Sequence, residues 1–348
     1  MKKFLVLMVV AAMTLFGVSA FAGVDLKMDD DTFAKFGAKA RIQYSATSPG
    51  SDKLNVGLGE GRIYFSGQIT NTVKFGFNYD FATTGGAAGG GRATDALVQF
   101  DLATALKINT GIYRMAFSRL ALQDSYQYIL ISSPEVGGTA FVTNTNLGGF
   151  RVGGVTAWGD LADGMIRYNV GISDGSNGPA AVAGDELGIS GRVVVNFMDP
   201  EKGYTCPGCY LGKAKVANVG VGFFQQENSA GTVTQKAVTV DGFYDANNLT
   251  IEAALFNYDY DNAAGQKPVG MYVEAAYAFG KIQPAVRFEQ YDDDVAANDT
   301  TDFAKLVVGV NYLIDGHNAK VGFELAQKDF DGGGVDTDTA TIQVQAQF

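Results

Sequence analysis

A single histidine, His317, restricts the chemistry open to this chain of 348 residues. Sites built on Ser-His or Asp-His pairs need an imidazole beside the reacting group. His317 instead falls in Asp315-Gly316-His317-Asn318, which reads as a turn. The only cysteines are Cys206 and Cys209, in Cys-Pro-Gly-Cys. Tyr210, not His, follows the second of them, which disfavours haem attachment, and two thiols fall short of a structural zinc site. A small disulfide in a turn and two inert thiols are the readings left, and an exported compartment would be oxidising enough for the pair to close. The acidic runs Asp29 to Asp31 and Asp292 to Asp294 read as solvated loop tips, with a divalent-cation site at the lipid headgroups as the alternative. Gly89-Gly90-Gly91 and Gly332-Gly333-Gly334 lack the Lys-Ser/Thr and helix of a phosphate loop. Neither an enzyme site, a cofactor nor a resident metal is expected.

What remains is fixed charge set at alternate positions. In Phe33 to Ser45, Phe36, Ala38, Ala40, Ile42 and Tyr44 alternate with Lys35, Lys39, Arg41 and Gln43. In Val73 to Phe81, Val73, Phe75, Phe77, Tyr79 and Phe81 stand against Lys74, Gly76, Asn78 and Asp80. A period of two puts one set on each face of a sheet. Sorted by this parity, the charged face holds the bases Lys35, Lys39, Arg41, Arg62, Lys74, Lys107, Arg151, Arg167, Arg192, Arg287, Lys305 and Lys320. Its acids are Glu60, Asp80, Asp95, Asp101, Asp241, Glu252, Glu274, Glu289 and Glu324. Up to residue 197 this is nine bases against four acids. If the charged face encloses water, a basic wall concentrates anions there. The bland alternative is that opposite charges pair across strands and set no preference.

The elements that must carry these residues number sixteen: strands near 33 to 45, 56 to 70, 73 to 81, 95 to 102, 106 to 113, 150 to 158, 165 to 172, 187 to 197, 216 to 225, 236 to 245, 249 to 258, 269 to 279, 282 to 291, 304 to 314, 319 to 326 and 339 to 348. The gaps alternate. Asn71-Thr72, Ala103 to Ala105, Asn247-Asn248, Gly280-Lys281 and Asp315 to Asn318 are short. Ala46 to Asn55, Ala82 to Thr94, Ser173 to Glu186, Gln226 to Gln235, Val295 to Phe303 and Gln327 to Asp338 are longer and polar. Short turns at one end and long loops at the other are the pattern of bacterial transmembrane barrels. Two gaps depart from it. Arg114 to Gly149, the third long loop, is too long for a plain connection. Met198 to Lys215 is long but lies on the short-turn side and contains both cysteines, so a local constraint is expected there.

Composition agrees with an all-β chain: 45 Gly and 40 Phe plus Tyr, against seven Pro. Lys2 and Lys3, the apolar run Phe4 to Ala20 and then Ala20-Phe21-Ala22 read as a signal peptide over residues 1–22, leaving a barrel over 23–348. The net charge of −11 becomes −13 once Lys2 and Lys3 are removed, which argues against nucleic acid as a partner. A terminal Phe348 after Ile342, Val344 and Ala346 is similar to the assembly signal of barrel proteins. The rival is a soluble secreted β-protein, in which Tyr44, Phe81, Tyr244, Tyr277, Tyr312 and Phe348 would lie in a core rather than near membrane interfaces.

Several stretches resemble the phosphate-selective porin (O and P) family of Gram-negative outer membranes. They are Glu60-Gly61-Arg62-Ile63-Tyr64-Phe65-Ser66-Gly67 leading into Phe77-Asn78-Tyr79-Asp80-Phe81, and Gly111-Ile112-Tyr113-Arg114-Met115-Ala116-Phe117-Ser118-Arg119. Gly153-Gly154-Val155 with Asp163-Gly164-Met165-Ile166-Arg167-Tyr168, and Ile282-Gln283-Pro284-Ala285-Val286-Arg287-Phe288-Glu289, follow in order. The resemblance implies a 16-stranded antiparallel transmembrane β-barrel, usually a homotrimer, whose third loop folds inward and narrows a passive channel. It would put Arg114 and Arg119 near the narrowing. Small hydrophilic solutes or inorganic anions, phosphate among them, would pass, and membrane lipid and lipopolysaccharide would surround the wall. Nine Arg in the chain is thin for a full arginine ladder. The candidate pore-lining and anion-binding residues are therefore Lys39, Arg41, Arg62, Lys74, Lys107, Arg114, Arg119, Arg167 and Arg192, with Cys206 and Cys209 as the disulfide candidates. The alternative is a structural or adhesive barrel with a plugged lumen.

Overall fold

The computed structural model describes residues 24–29, 31–50, 54–81, 91–138, 150–174, 187–227, 234–260, 265–295 and 301–348. The expected signal peptide and parts of the long loops lie outside these. Among the described residues the strands are β1 (Val24–Lys27), β2 (Phe33–Ser48), β3 (Asn55–Thr70), β4 (Val73–Asp80), β5 (Arg92–Ala103), β6 (Leu106–Arg114), β7 (Arg151–Leu161), β8 (Ile166–Ser173), β9 (Gly188–Asn196), β10 (Val216–Glu227), β11 (Thr234–Ala246), β12 (Leu249–Tyr260), β13 (Val269–Tyr277), β14 (Ile282–Asp292), β15 (Phe303–Asp315), β16 (Ala319–Phe330) and β17 (Thr337–Gln347). From β2 to β17 each strand pairs antiparallel with the next, and β17 pairs with β2, closing a ring of sixteen. All sixteen expected strands are present, most of them a few residues longer than the alternation alone marked out.

β1 is additional. It pairs with Phe33–Phe36 of β2, while β17 covers Lys39–Ser48 of the same edge. The two ends of the described chain thus lie end to end on one strand, and the Phe348 amide donates to the Ala38 carbonyl at 3.0 Å. Among the described residues the sixteen strands form a closed ring, which removes the exposed edge that an open sheet would carry. The short hairpins are fixed by local conformation. Asn247 and Asn248 both have positive φ, 53° and 68°, the two-residue turn whose twist matches antiparallel strands and which Asn tolerates.

Parity sets the two faces as expected. Val219, Val221 and Phe223 on β10, Val286 and Phe288 on β14, and Leu306, Val308 and Val310 on β15 are exposed on the outer wall. Asp241, Glu252, Glu274, Arg287, Glu289 and Glu324 are buried on the inner one. Tyr44, Phe81, Tyr244, Tyr277, Tyr312 and Phe348 are none of them buried, and they stand near strand ends. A soluble sandwich would have hidden these side chains in its core.

Candidate functional site

The third loop leaves β6 at Arg114 and turns into the lumen. Ser118 caps a one-turn helix, α1 (Arg119–Leu122), by accepting from the Ala121 amide at 3.0 Å. Asp124 caps a 3-10 turn over Ser125–Gln127 through the Tyr126 amide at 3.2 Å. Off any sheet, this backbone must find other partners, and the inner wall supplies them in sequence. Gln345 donates to the Tyr126 carbonyl, Lys320 to that of Tyr128 at 2.7 Å and Asn311 to that of Ile129 at 2.7 Å. Glu324 accepts from the Ile131 and Ser132 amides, Glu289 from those of Glu135 and Val136, and Arg287 donates to the Ser132 carbonyl at 2.8 Å. The apolar side of the loop, Met115, Phe117, Leu120 and Val136, packs on Phe224, Phe256, Tyr258 and Tyr272 of the wall. The loop therefore runs along β17, β16, β15 and β14 back to β12, and it fills that side of the barrel.

A second segment enters from the opposite end. Met198 to Lys215 reaches up into the lumen, where Cys206 bridges Gln123 in parallel: the Cys206 amide donates to the Leu122 carbonyl and the Asp124 amide to the Cys206 carbonyl, both at 3.1 Å. The expected constraint is present, but it is not a disulfide. Both cysteines are free and buried. The Cys206 sulfur lies 3.8 Å from the Arg119 carbonyl, whereas that of Cys209 takes a hydrogen from Gln283 at 3.4 Å and faces His317. Hydrogen bonds to the loop and the wall hold the segment, and of the two readings of the cysteines, a disulfide or inert thiols, the structure has the free thiols. Burial raises the Cys209 thiol to about 11, which keeps it protonated and unreactive at neutral pH.

The candidate cations divide into three groups. Arg119 and Arg192 are buried and border a cavity of about 20 Å³. Arg119 is 1% exposed, donates to Glu252, and reaches Glu201 at 2.8 Å and the Pro207 carbonyl at 2.6 Å. Arg192 is locked to Asp241 at 2.6 Å. Arg119 was expected at the narrowing and is instead buried behind it, because two carboxylates and a carbonyl outcompete water for its five donors. Arg41, Arg62, Lys74, Arg167 and Lys39 face the lumen but are paired. Arg41 donates to the Ser125 carbonyl at 2.9 Å beside Glu60, and Arg62 holds Glu60 and Asp80 at 3.0 and 2.9 Å. Lys74 meets Asp101 at 2.5 Å, Arg167 meets Asp160 at 2.7 Å, and Lys39 meets Asp124 at 2.6 Å. Arg114 and Lys107 form the third group, with no ion pair among the described residues. Arg114 donates to the Ala121 carbonyl at 3.1 Å, and Lys107 lies 4.5 Å above the Trp158 ring.

Parity missed the carboxylates that change this balance. Asp124, Glu135 and Glu201 belong to the inward segments, so no strand pattern places them in the lumen, and Asp160 lies at the turn end of β7. Burial pushes the Asp124 carboxyl up, but the Lys39 ammonium and its hydrogen bond more than offset this and hold it well below the usual carboxylate range. The same contest, with Lys305 and Lys328 as the cations, lowers Glu135. A signal for the loop's path was present in the sequence. Gly222, Gly270, Gly309 and Gly322 have inward parity, and a Cβ at each would press on Phe117, Val136, Leu130 and Ile131 of the loop.

Among the described residues, two open spaces lie inside the ring against β2 and β3. A cavity of about 450 Å³ extends from the short-turn end and is lined by Lys39, Arg62, Arg114 and Arg151, with Asp95 and Asp124 as its carboxylates. A second, of about 410 Å³, lies toward the long-loop end and is lined by Arg41 and Lys305 against Glu60, Glu135 and Glu324. The 3-10 turn separates them, with Asp124 and Gln127 facing the first and Ser125 the second. The lining thus changes along the axis, four bases to two acids and then two bases to three, although Lys39, Arg62 and Arg151 are ion-paired with Asp124, Asp80 and Asp95. Near the outer rim, Asp292, Asp293 and Asp302 bring carboxylate oxygens within 4.8 Å of one another.

The model of the phosphate-selective porin O and P family matches residues 40–197. An uncharacterized protein of Aquifex aeolicus (strain VF5) is 27% identical over 273 residues, 69% of this chain, and the chain spans 64% of that relative's length. Among solved structures, Salmonella typhi OmpF in complex with daunomycin aligns with a TM-score of 0.68 at 16% identity, over 93% of this chain and all of that one. An anion-selective porin from Comamonas acidovorans aligns at 0.68 and 12% identity, over 91% and 100%. The trimer form of OmpT from Vibrio cholerae aligns at 0.65 and 14% identity, over 92% and 100%. At these identities the structural likeness establishes the closed 16-stranded fold, and the family match covers the half of the wall that bears the basic cavity.

Proposed function

Taking the chain as an outer-membrane β-barrel of the porin class, we propose that it is a passive diffusion channel for small hydrophilic solutes, with a preference for anions set near the short-turn end. The observation that carries this reading is the cavity lined by Lys39, Arg62, Arg114 and Arg151, where four bases face two carboxylates. A low-dielectric wall focuses their field, so a partly desolvated anion gains more there than in bulk water. Arg114, without an ion-paired carboxylate among the described residues, contributes most of the uncompensated charge. Inorganic phosphate is one anion of suitable charge. Lipid and lipopolysaccharide surround the outer wall, and a homotrimer is the proposed assembly, in keeping with the trimer form of Vibrio cholerae OmpT.

The test is single-channel recording of the purified protein in a planar bilayer under a salt gradient. A reversal potential on the anion side is the expected result. Cation preference would refute the selectivity and leave the channel. A second reading, a structural barrel with a plugged lumen, is favoured by the apolar core that the third loop builds inside the barrel. Absence of current from folded protein would decide for it.

A further inference from the structure

We propose that Met198 to Lys215 is a strap that fixes the third loop across the lumen, so that the width of the channel is set from both ends of the barrel. The inference rests on the reading of the chain as a channel and assigns this segment a part in setting its bore. Connecting β9 to β10 does not need the length, since Asn247-Asn248 and Gly280-Lys281 join neighbouring strands with two residues.

The strap holds the loop at the place where the loop borders open space. Its backbone pairs on both sides of Gln123, immediately before the Asp124–Gln127 turn that divides the two cavities. Arg119 acts as the pivot, since one guanidinium nitrogen reaches both Glu201 and the Pro207 carbonyl of the strap while another holds Glu252 on β12. Tyr204 donates to the Arg114 carbonyl at 2.8 Å and packs on Tyr113 and Trp158, so the strap also seats the most available lumen cation. Gly208 lies so close to the loop that a Cβ there would stand 2.5 Å from the Gln127 carbonyl.

The strap is itself anchored to the wall on two sides. Arg167 donates to the Glu201 and Gly203 carbonyls, each at 2.6 Å. On the far side, Asp245 accepts from the Tyr210 amide at 2.9 Å, and His317 donates to the Cys209 carbonyl at 2.9 Å. A segment gripped by β8, β11 and the β15–β16 turn can transmit the rigidity of the wall to the loop from the short-turn end.

Two variants test this. In the first, residues 199–213 are replaced by Asn-Gly. In the second, Gly208→Val pushes strap and loop apart without altering a wall anchor, and Lys213→Ala serves as the control at the exposed end of the strap. Heat-modifiable gel migration establishes that each barrel is folded. Two readouts follow: unit conductance with current noise, and labelling of Cys206 and Cys209 by a membrane-impermeant maleimide, which the buried thiols of the native protein resist. Gly208→Val is expected to label faster and, with a wider bore, to conduct roughly twofold more with added noise, since conductance follows free cross-section. The shortened barrel is expected to conduct at least as much as Gly208→Val, and Lys213→Ala to behave as native. A folded shortened barrel with native conductance and noise would overturn the proposal, as would Gly208→Val with native labelling. If the native protein passes no current while Gly208→Val exposes the thiols, the channel reading fails and the strap's hold on the loop stands.

Discussion

At the scale of single residues, an inward charge has one of two physical roles, and the partners decide which. Arg287 is buried and spends its donors on Glu289, Glu274 and the carbonyls of Ser132 and Ser133, so it is an anchor for the loop. Arg114 lines an open cavity and, among the described residues, meets no carboxylate within ion-pair distance. Arg114→Ala is therefore expected to shift the reversal potential toward cations with little loss of stability. Arg287→Ala is expected to cost about 3 to 5 kcal/mol, because it leaves two carboxylates buried without their cation; thermal unfolding followed by gel mobility measures it. His317 gives a pH-dependent counterpart. Burial, and then the Lys320 charge, lower it from 6.5 to about 4, while its Nδ1 has no hydrogen-bond partner among the described residues and Nε2 donates to the Cys209 carbonyl. The folded state thus favours the neutral ring. Its contribution is fully present above about pH 6.5 and is lost as the pH falls toward 4, amounting to no more than about 3 kcal/mol. His317→Gln should flatten the unfolding midpoint against pH across that window; an unchanged slope would exclude this ring as its source.

At the scale of elements, the loop is placed by what the wall omits as much as by what it offers. Glycines at inward positions on β10, β13, β15 and β16 leave a shallow track, and the loop lies in it. Gly222 is the tightest of these, since any side chain there would strike the Phe117 carbonyl just before α1. Gly222→Val is expected to destabilise the native state by about 1 to 3 kcal/mol through overpacking, or to lift the start of the loop and raise current noise. A variant with native noise and native stability would show that the loop is not seated by this contact. The strands themselves depend on nothing so delicate: their register follows from alternation and from hairpins such as Asn247-Asn248, whose positive φ values commit the turn.

At the scale of the whole molecule, closure is the property that must not fail. β2 is shared end to end by β1 and β17, and Phe348 closes the seam through its amide to Ala38 and through Tyr64, whose hydroxyl donates to the Phe348 carbonyl. Deleting Phe348 removes both bonds and an aromatic side chain from the short-turn rim. Slower folding into detergent or lipid is expected, with a larger unfolded fraction on a gel; native folding kinetics would place the closure elsewhere along β17. Among the described residues, the two inward segments leave open volume against β2 and β3, on the side of the wall that the family match covers.

The sequence by itself determined the sixteen strands, their inner and outer faces, the ends at which short and long connections lie, and which two connections were anomalous. Alternation is a local property with a fixed geometric meaning, so it survives without any knowledge of packing. The balance of charge in the lumen was not decided at that level. Asp124 and Glu201 reach Lys39 and Arg119 only because two connections fold inward, and Arg119 moves from expected pore residue to buried pivot for the same reason. The cysteines followed the same rule: their spacing allowed a disulfide, but contacts far away in sequence, with Arg119, Gln283 and His317, drew the two thiols apart. Which side chains meet water and which meet a loop depends on long-range contacts between segments that carry no period of their own, and only the tertiary structure supplies those.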